Sequence, residues 1–266
     1  IFHQTKWHDN RLKVVFKGEE TYINRHFEVD DYYKDLISFS SPLTVEDIIS
    51  IASKHVPELY KNCPWAYRDS TGRELNHGTA VLETEEQCNA YLAAYGNMHY
   101  QKLQYAFKYS DENKIPYSEF KHGLEIYDWG CGQGIGTVAI IKKLRQLNLA
   151  SSIKKITLEE PSEIARSRAV LHVKLALNND DIEIVEVPKY LPAYSENNGN
   201  SIQTIDVKQP VAIHIFSNIL DIESVSLKGV AKLITSSGTK HIVFCIGPAN
   251  LNESRINAFI NYFKDE

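Results

Sequence analysis

The stretch Asp128-Trp129-Gly130-Cys131-Gly132-Gln133-Gly134-Ile135-Gly136 decides how the rest of the chain is read. It follows an apolar run, Leu124–Tyr127, and leads into a helical pattern over 136–147. Alternate glycines let a backbone turn through left-handed conformations and pass close under a ligand, where any Cβ would collide. The helix beyond them begins with unpaired N–H groups. Two kinds of nucleotide ligand compete for such a loop. A dinucleotide needs G-x-G-x-x-G, the third glycine lying where helix and strand touch. Counted from Gly130 that position is Ile135, and counted from Gly132 it is Thr137; both fail. The strand also ends in an acid, Asp128, directly before the glycines. A carboxylate there repels a pyrophosphate and attracts an ammonium, so the spacing favours a cationic ligand.

Working outward, the chain from about Gly123 alternates short apolar runs with helical stretches. Strands are expected at Leu124–Tyr127, Ile153–Leu158, Ile182–Val187, Val211–Phe216 and His241–Ile246. Helices are expected over 136–147, 163–177, 222–234 and 252–263. Such alternation builds a parallel sheet with helices on both faces, and its ligand sits outside the carboxyl ends of the strands where their order reverses. The expected fold is α/β: a doubly wound, mostly parallel, Rossmann-like sheet with an N-terminal α+β accessory region. The boundary falls at residue 83, with residues 1–83 as accessory or substrate-recognition region and 84–266 as the nucleotide-binding domain.

The glycine loop resembles motif I of the class I S-adenosylmethionine-dependent methyltransferases. Ile156-Thr157-Leu158-Glu159-Glu160-Pro161-Ser162 resembles their second motif, where an acid holds the ribose hydroxyls. The resemblance covers roughly residues 124–250. It implies S-adenosylmethionine as cofactor, with Asp128, Gly130, Cys131, Gly132, Gln133, Gly134 and Glu160 around it and Glu159 as the reserve acid. A helix-capping charge is the plainer reading of Glu160. The end of the fourth strand would lie beside the transferable methyl, which makes Asn218 an orienting residue and Asp221 a base; Asp221 is equally well placed as an N-cap. A polar, Asn-, Ser- and Gly-rich insertion between Val187 and Val211 stands where an adenine contact would be expected. The chain also ends before the antiparallel strand pair that usually completes such a sheet. Those strands are expected beyond residue 266, the hairpin near 12–27 being the other candidate.

In the N-terminal part, Leu12–Phe16 and Thr21–Phe27 read as a hairpin, and Val45–Tyr60 as an amphipathic helix after Thr44. Residues 61–78 read as loop, with Trp65–Ser70 a possible acceptor contact. A lid helix is expected over 85–109, with Thr84 and Gln87 forming its capping box. Tyr91, Tyr95, His99 and Lys102 share one face of it, and His99 is a candidate general base, although a histidine satisfied within the core is commoner.

The chain has 266 residues and a formal charge of −5, which argues against nucleic-acid binding through an overall field. A local basic groove remains open around Lys142, Lys143, Arg145, Lys154 and Lys155, though such clusters are usually solvated helix faces. Four scattered cysteines without metal-site spacing fit the reducing cytoplasm and imply no metal. No apolar run approaches the ~20 residues of a membrane span. The acceptor signatures for base amino groups and for cytosine C5 are missing. The reading is therefore a methyltransferase with an unidentified acceptor, expected to be nucleic acid or protein because of the large N-terminal part. Its alternative is a non-catalytic cofactor-binding or scaffold domain. The absence of an initiating methionine suggests further domains of the same polypeptide.

Overall fold

The computed structural model describes residues 2–8, 11–16, 19–24, 31–39, 42–56, 75, 80–112, 115–177, 182–191, 205–247 and 253–263. The expected loop over 61–78, apart from Leu75, and residues 192–204 of the insertion lie outside them. Leu75 is helical and buried, so at least that position is not loop.

Strands β1 (Phe2–His8), β2 (Arg11–Phe16) and β3 (Glu19–Asn24) form an antiparallel sheet in that order. The expected hairpin is its second half, with Val14 opposite Thr21. Helices α1 (Asp31–Ile37) and α2 (Val45–Lys54) follow; α2 stops six residues short of the expected Tyr60. Thr44 and Asp47 close a capping box at its start, satisfying two backbone N–H groups reciprocally.

The helix expected over 85–109 is three consecutive pieces: α3 (Glu85–Tyr91), a π-helical turn over Leu92–Gly96, and α4 (Asn97–Glu112). The Thr84–Gln87 capping box is present. A Cβ on Gly96 would stand 2.8 Å from Ile49 of α2, so the π turn lies where the two helices come closest. π turns inside α-helices recur at functional sites.

The main sheet has five strands, β4 (Leu124–Trp129), β5 (Ile153–Glu159), β6 (Glu183–Val187), β7 (Val211–Ser217) and β8 (Lys240–Ile246). All are parallel, in the order β6-β5-β4-β7-β8. Chain direction across the sheet reverses between β4 and β7, the place where α/β sheets open a crevice at their carboxyl ends. Helices α5 (Ile135–Gln146) and α6 (Glu163–Leu177) cover one face; α7 (Leu227–Thr235) and α8 (Glu253–Asn261) cover the other.

The alternation of β4 shows how the two faces are assigned. Leu124 and Ile126 join Ile156, Leu158, Ile213 and Ile215 in the larger core, with α5 and α6. Tyr127 and Trp129 point the other way, onto Phe216, Val230 and Phe259. Tyr32, Leu36 and Ile48, from the expected accessory region, belong to the larger core as well. They are joined to it by a buried polar knot. Fully buried Arg168 of α6 pairs with Glu85, donates to Asn89 Oδ1 at 2.8 Å and Gln133 Oε1 at 3.1 Å, and lies over the Tyr32 ring at 3.9 Å. A charge this deep needs a paired counter-charge, which Glu85 supplies; Nε of the same guanidinium has no hydrogen-bond partner among the described residues.

Helix α7 begins at Leu227, five residues later than expected. Ser226 caps it by accepting from Gly229 N at 3.1 Å, so the N-cap reading of Asp221 is wrong. Arg255 of α8 is the reason. Its guanidinium donates to the carbonyls of Leu220, Ile222 and Val225 at 2.7–3.1 Å, holding 220–225 as a turn.

Candidate active site at the carboxyl ends of the strands

Level registers bring the ends of β4, β5 and β7 together: Trp129 sits opposite Glu159, and Asp128 opposite both Leu158 and Ile215. The glycine loop crosses above them. Gly130, Gly132 and Gly134 have φ of +65°, +51° and +79°, the left-handed region that glycine enters without penalty. What a side chain would meet differs at each. At Gly130 a Cβ would strike Ile219 at 2.8 Å, and at Gly134 it would press on the Ala169 backbone at 3.1 Å. At Gly132 it would meet nothing within 4 Å among the described residues, so this glycine faces open space between them.

Asp128 belongs to the strand, not to the loop. It is 2% exposed, and its Oδ2 accepts from Thr137 N at 3.0 Å and Thr137 Oγ1 at 2.7 Å. Thr137 is the third residue of α5, whose N-cap is Gly134. That glycine has no side chain to cap with, so Asp128 caps the helix from the preceding strand. Burial, only partly offset by Thr137, pushes its carboxyl up to about 6. Its carboxylate is thus turned into the helix start rather than standing free for a ligand ammonium.

Glu160 follows β5 and is fixed in the same manner. Its Oε2 accepts from Gly132 N at 3.0 Å and its Oε1 from Ser162 N at 2.9 Å. The carboxylate spans the glycine loop and the start of α6, so the plain helix-charge reading holds alongside any ligand role. Burial raises its pKa, opposed by those two N–H groups and by Arg166. Glu159 remains half-buried, its carboxyl lifted by burial to about 7. Its backbone oxygen accepts from Cys131 N at 2.9 Å, locking the loop onto β5.

Two expected cofactor residues face elsewhere. Gln133 is 2% exposed; its amide donates to Cys88 O at 2.9 Å and accepts from Arg168, within the buried knot. Its carbonyl bonds His172 Nδ1 at 2.7 Å, and Tyr32 closes the chain on His172 Nε2 at 2.7 Å. The Cys131 thiol is buried, with a pKa far above the ordinary value because of that burial. These two serve the loop's shape, with their side chains packed into protein.

The π turn and α4 carry the opposite wall. Tyr91, Tyr95 and His99 form a ring cluster, with His99 stacked on Tyr95 at 6.0 Å and Tyr91 5.3 Å from Tyr95. Burial drops His99 to about 4, which leaves it neutral and a weak base at pH 7. The helix is bonded to both sides of the crevice, through Cys88 O to Gln133 of the glycine loop and through Lys102 to Asn218 after β7. One turn beyond His99, Lys102 Nζ donates to Asn218 Oδ1 at 3.0 Å, tying the helix to the end of β7.

Asn218 is one of two non-glycine residues with positive φ among the described residues, at +57°. Its backbone N–H bonds Ile246 O at 2.7 Å, and its Nδ2 donates to Ser217 Oγ at 3.3 Å. Asp221 lies a turn further on, half-buried, with Oδ1 buried and unpaired among the described residues. Burial raises its pKa, while Lys102 and Arg255 pull the other way.

Of the basic cluster left open by the sequence, Lys154 is exposed and Lys155 stands 3.9 Å from Glu125, while the other three have partners within the fold. Lys142 pairs with Glu46 at 2.7 Å, Lys143 with Asp111 at 2.6 Å, and Arg145 donates to the Ala176 carbonyl. Among the described residues no helix is long and apolar enough to cross a membrane. Nor does any group of three or more His, Cys, Asp or Glu gather there that could hold a metal ion.

No family model matches the chain, and no curated protein matches it. Among solved structures it is similar to the magnesium protoporphyrin IX methyltransferase of Synechocystis PCC 6803 with bound S-adenosylmethionine. The identity is 14%, covering 74% of this chain and 81% of that one, with a TM-score of 0.37. The same enzyme with bound S-adenosylhomocysteine gives 14%, 74%, 84% and 0.34. A SAM-dependent methyltransferase of Leishmania major gives 11%, 84%, 87% and 0.37. What stands on this chain's own geometry is a doubly wound parallel sheet with a left-handed glycine loop and two fixed carboxylates at its switch point.

Proposed function

We propose that this chain binds S-adenosylmethionine across the carboxyl ends of β4, β5 and β7 and transfers its methyl group to an acceptor held under the helix α3–α4. The observation that carries this reading is the fate of the loop's amide donors. In a dinucleotide site the loop N–H groups and the helix N-terminus cradle a pyrophosphate. Here Thr137 N is taken by Asp128 and Gly132 N by Glu160. A pyrophosphate would find its donors filled and two carboxylates beside it. A cation, or a neutral ribose offering hydroxyls to Glu160, fits the same surface. Each Glu160 oxygen has accepted one backbone bond and keeps a lone pair for a vicinal diol. Open space above Gly132 leaves room for the ligand backbone.

Bound S-adenosylmethionine would supply an electrophilic methyl on a sulfonium. The chain's residues do the rest. Gly132 and Glu160 hold the nucleoside, while Tyr91, Tyr95 and His99 exclude water from above. Asp221 has a buried oxygen, unpaired among the described residues, that would receive the proton of an N–H or O–H nucleophile as the nucleophile takes the methyl carbon and the methyl–sulfur bond breaks to leave a neutral thioether. Asn218, held by Lys102, orients that nucleophile, because alignment is the main requirement of such a displacement. His99 is a ring in the wall in this reading; a base near pKa 4 adds little at neutral pH. Lys142 and Lys143 are paired with carboxylates and Arg145 with carbonyls, so these three are not free to line a groove for nucleic acid.

Calorimetry and thermal melting with S-adenosylmethionine, S-adenosylhomocysteine and NAD test the proposal. The first two should bind and raise the melting temperature. Binding of NAD alone would reverse the assignment.

A further inference from the structure

We propose that Lys102 is the seat for an anionic group, a carboxylate or a phosphate, on the methyl acceptor. The inference rests on the methyltransferase reading and names the class of molecule that enters the site.

Its ground is a cation that no carboxylate contacts among the described residues. Lys142, Lys143 and Lys155 are half-buried like Lys102, and each stands within 3.9 Å of a carboxylate. Lys102 makes no ion pair among the described residues. Among those residues its one hydrogen-bond partner is the Asn218 amide oxygen. An ammonium carries three N–H donors, and Asp221 acts on this one only across a gap, without an ion-pair contact, so its half-withdrawal from water is incompletely answered. Such an arrangement persists where the missing partner arrives with a ligand.

The neighbouring amide strengthens the case. Lysine can only donate, so the group facing it is the Asn218 oxygen, and the amide orientation follows from chemistry rather than from choice. Asn218 therefore shows its Nδ2 donor to its surroundings, and one of those two hydrogens goes to Ser217. An ammonium and an amide N–H side by side make a donor pair for an oxyanion. Asn218 adopts its left-handed conformation, costly for a residue with a Cβ, while bonded to Ile246 and Lys102. The charges facing Lys102 are few: Asp221 attracts it, and His99 on its own helix is neutral. Arg255 of α8, which also acts on Asp221, offsets that carboxylate from its other side. An anion on the acceptor is attracted to Lys102 and leaves Asp221 to the nucleophile's proton.

The test uses the chain saturated with S-adenosylhomocysteine and titrates benzoate, phenyl phosphate and the neutral benzamide by calorimetry. The two anions distinguish a carboxylate seat from a phosphate seat. At least one should bind more tightly than benzamide. Lys102→Met and Lys102→Gln should both weaken it by about tenfold or more, the scale of a charge-assisted hydrogen bond, while Lys102→Arg keeps it. Glutamine retains a donor for Asn218 without the charge. If Lys102→Gln binds the anions as wild type does, Lys102 only holds Asn218 and the proposal falls. It falls equally if benzamide matches the anions or no anion binds. Each variant should bind S-adenosylhomocysteine within about twofold of wild type; failure of wild type to bind it would instead overturn the methyltransferase reading.

Discussion

Replacing Asp128 separates a charge that attracts a ligand from a carbonyl-like acceptor that caps a helix. In the folded protein its carboxyl is lifted from 3.8 to about 6, chiefly by burial. For a carboxyl raised on folding, the protonated form is the one the fold prefers. Stability from this group is therefore complete below about pH 4 and declines as pH rises through about 6. A rise of that size corresponds to about 3 kcal/mol of destabilisation at pH 7.5. Asn at this position removes the buried charge but keeps an oxygen for Thr137 N and Oγ1, now 3.0 and 2.7 Å from Asp128 Oδ2. We expect Asp128→Asn to be more stable than wild type at pH 7.5, by up to about 3 kcal/mol, and the gain to vanish by pH 4. Asp128→Ala recovers the same charge cost but strands two buried donors at about 1–3 kcal/mol each, so it should fall below Asp128→Asn by about 2 kcal/mol or more. Urea unfolding at both pH values measures this, with S-adenosylhomocysteine calorimetry alongside. Asp128→Asn should bind the ligand within a few-fold of wild type, and Asp128→Ala should bind far more weakly. If Asp128→Asn is destabilised as much as the alanine variant, the capping account is wrong. If it is stable but loses the ligand, the charge itself is needed, as the sequence had suggested.

Gly132→Val adds a side chain in the open space above the loop and forces φ +51° on a β-branched residue. It should cost about 1–2 kcal/mol of stability and abolish S-adenosylhomocysteine binding by calorimetry; unchanged affinity would remove the loop from the site. Glu85→Ala leaves the guanidinium of Arg168 buried without its carboxylate, and chemical denaturation should show a loss of about 3–5 kcal/mol. A loss under 1 kcal/mol would mean that the knot of Arg168, Asn89 and Gln133 does not hold the N-terminal helices to the sheet. Burial depresses His214 to about 3 in a chain of bonds from Trp129 Nε1 through His214 to His241, at 3.1 and 2.9 Å. Stability from a histidine kept neutral is present above pH 6.5 and lost as pH falls towards 3. His214→Phe should flatten the acid limb of a stability–pH curve, and an unaltered limb would assign that limb to another group, such as His172.

Much of the architecture was legible along the chain because its signals are local. Strand and helix periodicity placed all five parallel strands, and the capping box at Thr84 and Gln87 marked the start of helix α3. Helix α7 was misplaced because the carbonyls of 220–225 are held by Arg255, some 30 residues away, and nothing in Asp221–Ser226 announces it. The π turn over Leu92–Gly96 was likewise hidden, since its glycine meets Ile49 of a separate helix.

For the site, the glycine spacing alone ruled out the dinucleotide pattern, because positive φ and the absence of a Cβ are properties of the residue type. Which way the carboxylates point is a property of the packed chain. Asp128 turns into α5 because Gly134 cannot cap it, and Glu160 bridges two backbone segments that meet only across the sheet. Lys102 and Asn218 are 116 residues apart in sequence and 3.0 Å apart in the fold. Backbone conformation is decided within a few residues and can be read in one dimension. Charge balance is decided by neighbours in space, and only the tertiary structure assembles them.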